Sequence, residues 1–137
     1  MSSSLVDSSG VLVETCDPSQ TCNQDQWMFK GVYFEHLGYF LQDMAALDKV
    51  DINLRRALVQ KYSTFVFINA AAVWNVARGT DGKFASWWAS PPGATRQVSV
   101  ETQGSGVSAL TCALRVHELL DDLQQGGTGE TQITLHD

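Results

Sequence analysis

Apolar residues recur at helical spacing in three stretches of the chain, at about 23–47, 52–78 and 106–124. Within each stretch they fall three or four positions apart, which is the spacing that lines one face of an α-helix. Asn23 or Asp25 can cap the start of the first stretch. The pattern therefore predicts an all-α fold with three helices.

The segment 80–103, between the second and third helices, follows neither a helical nor a strand period. It contains FASWWASPPGATRQ, whose paired tryptophans and paired prolines fit no regular element. Long irregular segments in small domains are usually functional or disordered. Because Trp87 and Trp88 would be costly to leave in water, we predict an ordered loop here. The polar stretch 125–137 is predicted to be a loose tail.

The three predicted helices offer more apolar surface than three helices and one loop can bury against one another. Trp27 and Trp74 lie at helical spacing, and both are predicted to lie in the core. We therefore expect either that this chain is part of a larger fold or that it associates with itself through exposed helix faces.

The chain has 137 residues and a formal net charge of -6 at neutral pH. This length suits a single domain. The acidic balance argues against nucleic acid and anionic membrane surfaces as partners, because Lys and Arg supply most of the affinity for polyanions. The longest apolar run, 65–74, is shorter than the roughly 20 residues that span a bilayer. The start of the chain, MSSSLVDSSG, does not have the pattern of a secretory signal.

Cys16 and Cys22 flank the turn-forming sequence DPSQT, and three interpretations of this pair are open. A disulfide would close a short loop and stabilise the fold by about 2 to 3 kcal/mol. Both cysteines could instead be free thiols. Zinc binding is disfavoured, because structural zinc sites use closer pairs and need a second ligand pair. Cys112 has no obvious partner, and we predict no metal and no cofactor.

The run GVLVETCDPSQTCNQDQWMFKGVYFEHLGYFL resembles the fungal members of glycoside hydrolase family 76. These are endo-acting α-1,6-mannanases and their cell-wall relatives. The resemblance lies in a pattern of Glu-x-Cys followed by Cys-Asn-x-Asp-Gln-x-x-Phe-Lys. The matching positions are Glu14, Cys16, Cys22, Asn23, Asp25, Gln26, Phe29 and Lys30.

Two later stretches are similar to the same family and follow in the same order. NAAAVWNVARGTDGKFASWWASPP looks like the family's helix end, Gly-rich turn and Trp-containing loop, and GVSALTCALRVHELL looks like its last helix. At Gly106 this chain departs from the Gln that is common in the family. The matching positions are Asn69, Ala70, Trp74, Trp88, Pro91, Ser108, Ala109 and Leu110.

The resemblance implies a toroid of six α/α hairpins, in which sugar binds at one end of the ring. Residues 1–137 would be its C-terminal part, with a lead-in loop over 1–22, helices and the Trp-rich loop over 23–124, and the tail. The family carries its two adjacent catalytic aspartates in the N-terminal half, which has no counterpart here. The adjacent Asp121 and Asp122 are interpreted as a solvated helix end, so we assign no catalytic residue.

The resemblance also implies which residues face the sugar. Asn23, Asp25, Gln26 and Lys30 would lie at the mouth of the toroid, and an indole ring can stack on the apolar face of a sugar. The alternative is that the first group supplies a helix cap and a surface amine, and that at least one tryptophan anchors the loop. The predicted substrate-binding residues are Asn23, Asp25, Gln26, Lys30, Trp87 and Trp88.

Two functions are therefore expected. The first is the C-terminal part of a glycoside hydrolase resembling mannan endo-1,6-α-mannosidase, which contributes a sugar-binding rim but is inactive alone. Its partner would be an α-mannan or a related polysaccharide, and its location would be extracellular or in the fungal cell wall. The second is a non-catalytic product, either truncated or a small helical module that binds carbohydrate or acts as a scaffold.

Overall fold

The computed structural model describes residues 5–47 and 49–125. Within them the chain forms three α-helices, which are α1 (Gln24–Ala45), α2 (Ile52–Ala72) and α3 (Val100–Gln125). A π-helical turn, Val73–Ala77, continues α2. The predicted all-α class is confirmed. Of the tail predicted at 125–137, Gln125 is the last residue of α3, and 126–137 lie outside the described residues.

Side chains cap the starts of α1 and α2, and the cap of α1 is at Asn23, one of the two predicted residues. At α1 the Asn23 side chain accepts a hydrogen bond from the Gln26 amide, and the Gln26 side chain accepts one from the Asn23 amide. This reciprocal pair is a capping box, which satisfies two amides that have no partner inside the helix. At α2 the Asp51 carboxylate accepts from the amides of Asn53 and Leu54.

Helix α3 begins six residues earlier than predicted. Ser99 and Thr102 exchange hydrogen bonds between their side chains and amides, and these contacts cap the helix before Val100. The predicted start at about residue 106 rests on the apolar spacing, which begins at Val107. The structure gives Gly106 a packing role, since a Cβ there would lie 2.6 Å from the ring of Phe84.

Helix α1 packs most closely on α3, and small residues allow this approach. A Cβ at Gly31 would lie 2.6 Å from the Ser105 Cα atom, and one at Gly38 would lie 3.6 Å from the Cys112 sulfur. Because both contacts advance by seven residues on each helix, α1 and α3 run parallel. Helix α2 runs antiparallel to both.

The core lies between the three helices and under the Trp-rich loop. Trp88 from the loop is 1% exposed and joins this core, with its ring centroid 5.7 Å from that of Phe34. The chain therefore closes one apolar core of its own. The helix residues that are fully buried in it are Phe34, Leu41, Val59, Val66, Val73, Ala77, Ala109 and Val116.

The prediction that Trp74 lies in the core is wrong. The buried stripe of α2 passes through Val66, Ala70, Val73 and Ala77, which leaves Trp74 one position to the side and 49% exposed. Trp27 is half-buried. Large apolar side chains also remain exposed on α1 and α3, which agrees with the surplus of apolar surface that the sequence predicts.

Candidate functional site

The loop before α1 is closed by a disulfide. Cys16 and Cys22 are bonded, with their Cα atoms 5.0 Å apart, and both are buried. Of the three interpretations that the sequence left open, the disulfide is confirmed for this pair. Cys112 is a free, buried thiol in α3.

A buried ion pair ties this loop to α1. The Lys30 ammonium donates to Asp17, and the two side chains are 3% and 1% exposed. The Asp17 carboxylate also accepts from the Glu14 amide at 2.8 Å. Burial lowers the pKa of Lys30, and the negative charge of Asp17 opposes that shift. The interpretation of Lys30 as a surface amine is therefore wrong, because the disulfide loop carries a carboxylate over it.

The Trp-rich loop meets the disulfide loop at the same place. Lys30 Nζ donates to the Ser86 carbonyl at 2.7 Å and lies 5.5 Å from the centroid of the Trp88 ring. Nearby, the Gln97 side chain donates to the Gln20 carbonyl at 2.8 Å. We call residues 14–22, Lys30 and residues 86–88 the disulfide corner.

A third polar anchor holds the start of the described chain on α2. The Asn69 side chain accepts from the Leu12 amide at 2.7 Å and donates to the Gly10 carbonyl at 3.0 Å. Asn69 is fully buried. Since a buried amide group is costly without partners, these hydrogen bonds fix the path of the chain towards the disulfide.

The structure places the six predicted substrate-binding residues in different environments. Asn23 and Gln26 are engaged with each other in the capping box. Lys30 and Trp88 are buried. Asp25 is exposed in the first turn of α1, and Trp87 is half-buried beside Ser86.

Glu14 is a further polar residue of the corner. It is half-buried, and burial raises the pKa of its carboxyl, while Lys30 opposes that shift. Its backbone amide, not its carboxylate, is the group that bonds Asp17. The charges of Lys30 and Asp17 both act on the pKa of the Glu14 carboxyl, so this carboxyl lies near the buried ion pair.

The adjacent carboxylates Asp121 and Asp122 lie far from this corner. Ser105 packs against Gly31 beside Lys30, and Asp121 follows sixteen residues later on α3, about 24 Å along the helix axis. Asp121 lies 3.2 Å from the His117 ring, and both side chains are exposed. The two carboxyl groups that cleave a glycoside flank the scissile bond and lie within roughly 10 Å of each other. Because Asp121 and Asp122 lie much further than this from the corner, they cannot act on a sugar bound there.

Within residues 5–47 and 49–125, no helix is long and apolar enough to cross a bilayer. Comparison of the chain with protein-family models, with curated proteins and with solved structures finds no match.

Sequence reasoning missed Asp17, the residue on which the corner depends. Its Asp-Pro context indicates a turn, and a turn carboxylate is normally solvated. The available signal was Lys30, a cation on the otherwise apolar inner face of α1, which needs a buried partner. Nothing in the sequence identifies that partner, because the pair is formed across the disulfide loop.

Proposed function

We propose that this chain is the C-terminal part of a glycoside hydrolase of the family 76 type, and that its role is to bind α-1,6-linked mannose polymers. In this proposal it supplies the sugar-binding rim and carries no catalytic carboxylate. The protein would act outside the cell or in the cell wall. The observation that supports it is the disulfide corner, where four residues of the most specific motif, Glu14, Cys16, Cys22 and Lys30, lie together.

The geometry of the corner supports binding because its scaffold is rigid. The disulfide and the Lys30–Asp17 pair hold two irregular segments against the start of α1. Rigid placement of polar groups is what a sugar site requires, since fixed groups lose little entropy on binding. The groups of the corner left to meet a ligand are the half-buried Glu14 and Trp87, and Asp25 is exposed outside it, in the first turn of α1.

These three residues have complementary chemistry for a sugar. The Trp87 indole provides an apolar surface for the C–H face of a pyranose ring. Carboxylates at Asp25 and Glu14 accept hydrogen bonds from hydroxyl groups, and such charge-assisted bonds are stronger than neutral ones. Lys30 and Trp88 would act indirectly, by holding the loop that carries Trp87.

Titration with an α-1,6-linked mannose oligosaccharide, followed by calorimetry, tests the proposal. We expect Trp87→Ala to weaken binding by at least about tenfold, which corresponds to the loss of one stacking contact. The matched control is Trp74→Ala, because Trp74 is exposed outside the corner and should leave the affinity unchanged. Absence of binding by the wild-type chain, or equal loss in both variants, would overturn the proposal.

The second candidate is a non-catalytic helical module, and one observation favours it. The three helices bury a continuous apolar core of their own, as expected for a unit that folds alone. Both candidates predict that the 137-residue chain does not hydrolyse α-1,6-mannan. Sugar binding separates the first candidate from a truncated product or a pure scaffold, but not from a module that itself binds carbohydrate.

A further inference from the structure

A groove runs along the surface between α1 and α3. Three cavities follow one another in it, with volumes of about 400, 150 and 300 Å³. The first and second share Glu35 and Ser108, and the second and third share Arg115. All of the described residues that line the cavities belong to α1 or α3. The three cavities therefore form one continuous groove.

The groove is bordered by one narrow stripe of each helix. On α1 the stripe alternates steps of four and three residues, through Met28, Val32, Glu35, Tyr39 and Gln42. On α3 it advances by seven residues, through Glu101, Ser108, Arg115 and Asp122. At about 100° per residue each stripe stays within about 80° of its helix's circumference, and the α1 stripe is about 21 Å long. We call the surface between the two stripes the α1–α3 groove, which is long enough to hold about four turns of another helix.

One end of the α1–α3 groove is apolar and uncovered. Met28 and Val32 are 45% and 43% exposed, and Val100, at the start of α3, is 84% exposed. The floor between them consists of small residues, and a Cβ added at Gly104 would meet no neighbouring atom within 4 Å. Exposed apolar side chains along a groove mark an interaction site. A floor without large side chains also lets another helix approach closely.

The charged residues of the groove are mostly acidic. The Arg115 guanidinium lies 4.9 Å from the centroid of the Tyr39 ring, and the Tyr39 hydroxyl donates to Glu35 at 3.2 Å. A hydrogen bond from Ser99 lowers the pKa of Glu101, so this carboxyl is ionised at neutral pH. The groove is therefore negatively charged and suits a positively charged occupant. Its charged lining residues are Glu35, Glu101, Glu118, Asp122 and Arg115.

We propose that the α1–α3 groove binds a basic amphipathic helix of a partner protein. The apolar face of that helix covers Met28, Val32 and Val100, and its Lys or Arg side chains meet the carboxylates of the groove. The length and continuity of the groove select a helix, because a small molecule would fill only one of the three cavities. In this mode of recognition, side chains at positions i, i+3, i+4 and i+7 of the bound helix contact the groove.

A second copy of the chain offers no helix of this kind among the described residues. Helices α1 and α3 each carry more acidic than basic residues. Helix α2 is basic, but Arg55 and Arg56 are half-buried and each donates to a backbone carbonyl of the same molecule. Lys61 is the one exposed cation of α2. The occupant is therefore a helix of a different protein.

Titration of the full chain into a fluorescently labelled peptide tests this inference. The probe has about 18 residues, enough to form a helix, with Leu along one face and Lys on both sides of that face. We expect it to bind with a Kd below about 0.1 mM, and more weakly at high salt because exposed charges are screened. A second peptide with Glu in place of each Lys keeps the apolar face and should bind at least about tenfold more weakly.

A substitution that fills the groove locates the bound peptide. Gly104→Trp places a ring on the groove floor and should weaken binding of the Lys peptide by at least about tenfold. The matched control is Thr64→Trp, which places the same ring on the exposed surface of α2 and should leave the affinity unchanged. Circular dichroism of each variant verifies that it is folded.

A second pair of variants tests the charge of the groove. Glu35→Gln/Glu101→Gln removes two of its carboxylates and should weaken binding of the Lys peptide about fivefold. The matched control, Asp43→Asn/Asp121→Asn, changes the net charge equally at two exposed carboxylates outside the groove. An equal loss in both variants would contradict the inference, because the effect would then come from net charge alone.

Other results would also overturn the inference. One is a wild-type chain that does not bind the Lys peptide at up to about 0.5 mM, since a weaker contact has little specificity. Another is equal binding of the Lys and Glu peptides, or equal binding by the wild-type chain and folded Gly104→Trp. A chain that forms dimers from which the Lys peptide is excluded would assign the groove to a second copy instead.

Discussion

The disulfide corner and the helix bundle are held together by different means. In the bundle, apolar side chains repeat along α1, α2 and α3 and share one core, so no single contact decides the packing. In the corner, two irregular segments are held by a few buried polar contacts centred on Lys30 and Asp17. Removing one partner in the corner should therefore cost more than removing an average contact in the bundle.

The largest effect is expected from Lys30→Ala. It leaves the Asp17 carboxylate buried without its cation, and breaking a buried pair in this way typically costs about 3 to 5 kcal/mol. Urea denaturation measures the loss of unfolding free energy, with the exposed Lys49→Ala as control. A loss below about 1 kcal/mol, in the range of surface substitutions, would contradict the central role of the pair.

Removing the disulfide should have the next largest effect. For Cys16→Ser/Cys22→Ser we expect a loss of about 2 to 3 kcal/mol, because the loop regains freedom in the unfolded chain. Since the loop carries Asp17, this loss and that of Lys30→Ala should not be additive. Additive losses would show that the disulfide and the ion pair act independently.

Thiol counting sharpens the same comparison. Without reductant, we expect one reactive thiol after denaturation and none in the folded chain. The remaining thiol is Cys112, which is 2% exposed and whose pKa burial raises to about 11. Three reactive thiols in denatured protein that was oxidised during purification would contradict the disulfide.

Two glycines test the packing of the bundle. Gly31→Ala places a Cβ against the backbone of Ser105, and overpacking of this kind typically costs about 1 to 3 kcal/mol. Gly104→Ala is the matched control on the facing helix, because a Cβ there has open space. Alanine favours a helix over glycine, so this control should gain about 0.5 to 1 kcal/mol. Equal effects at both positions would contradict the close approach of α1 and α3.

The smallest effect is expected from Glu14→Gln. The folded-state pKa of Glu14 is raised, so the fold favours the neutral form of this carboxyl. The free energy of unfolding therefore falls as the pH rises through that pKa and the carboxyl ionises. Gln keeps a neutral side chain at every pH. At neutral pH the variant should be slightly more stable, by less than any of the changes above because the partly exposed carboxyl is screened by solvent, and the gain should vanish at a pH below the ordinary pKa of the carboxyl. A gain that persists at low pH would indicate a different cause.

The bundle could be predicted from the sequence, and most of the corner could not. Helical spacing gave α1 and α2 nearly to their ends, and Asn23 and Asp51 cap as their residue types indicate. The start of α3 was missed because residues 101–106 carry no apolar side chain that would extend the helical spacing, and the contact of Gly106 with Phe84 becomes visible only in the folded chain. The spacing of apolar residues indicates which face of a helix a residue lies on, but it does not indicate which distant residue contacts that face.

Lys30 and Trp74 are two residues whose burial could not be predicted from the sequence. A lysine normally lies at the surface and a tryptophan at helical spacing normally lies in the core. Here Lys30 is buried because Asp17 meets it, and Trp74 is exposed because the core stripe of α2 passes beside it. Both outcomes depend on contacts between segments, so composition and spacing alone predict the reverse.

Amide chemical-shift mapping with an α-1,6-linked mannose oligosaccharide tests the central claim most directly, namely that the disulfide corner presents a sugar-binding surface. The account predicts shifts concentrated at Glu14, Asp25 and the Trp87 indole, with none at Phe67 or Trp74, which are exposed on α2 and its π-helical turn. Shifts confined to Phe67 and Trp74, or no shifts at millimolar sugar, would contradict it.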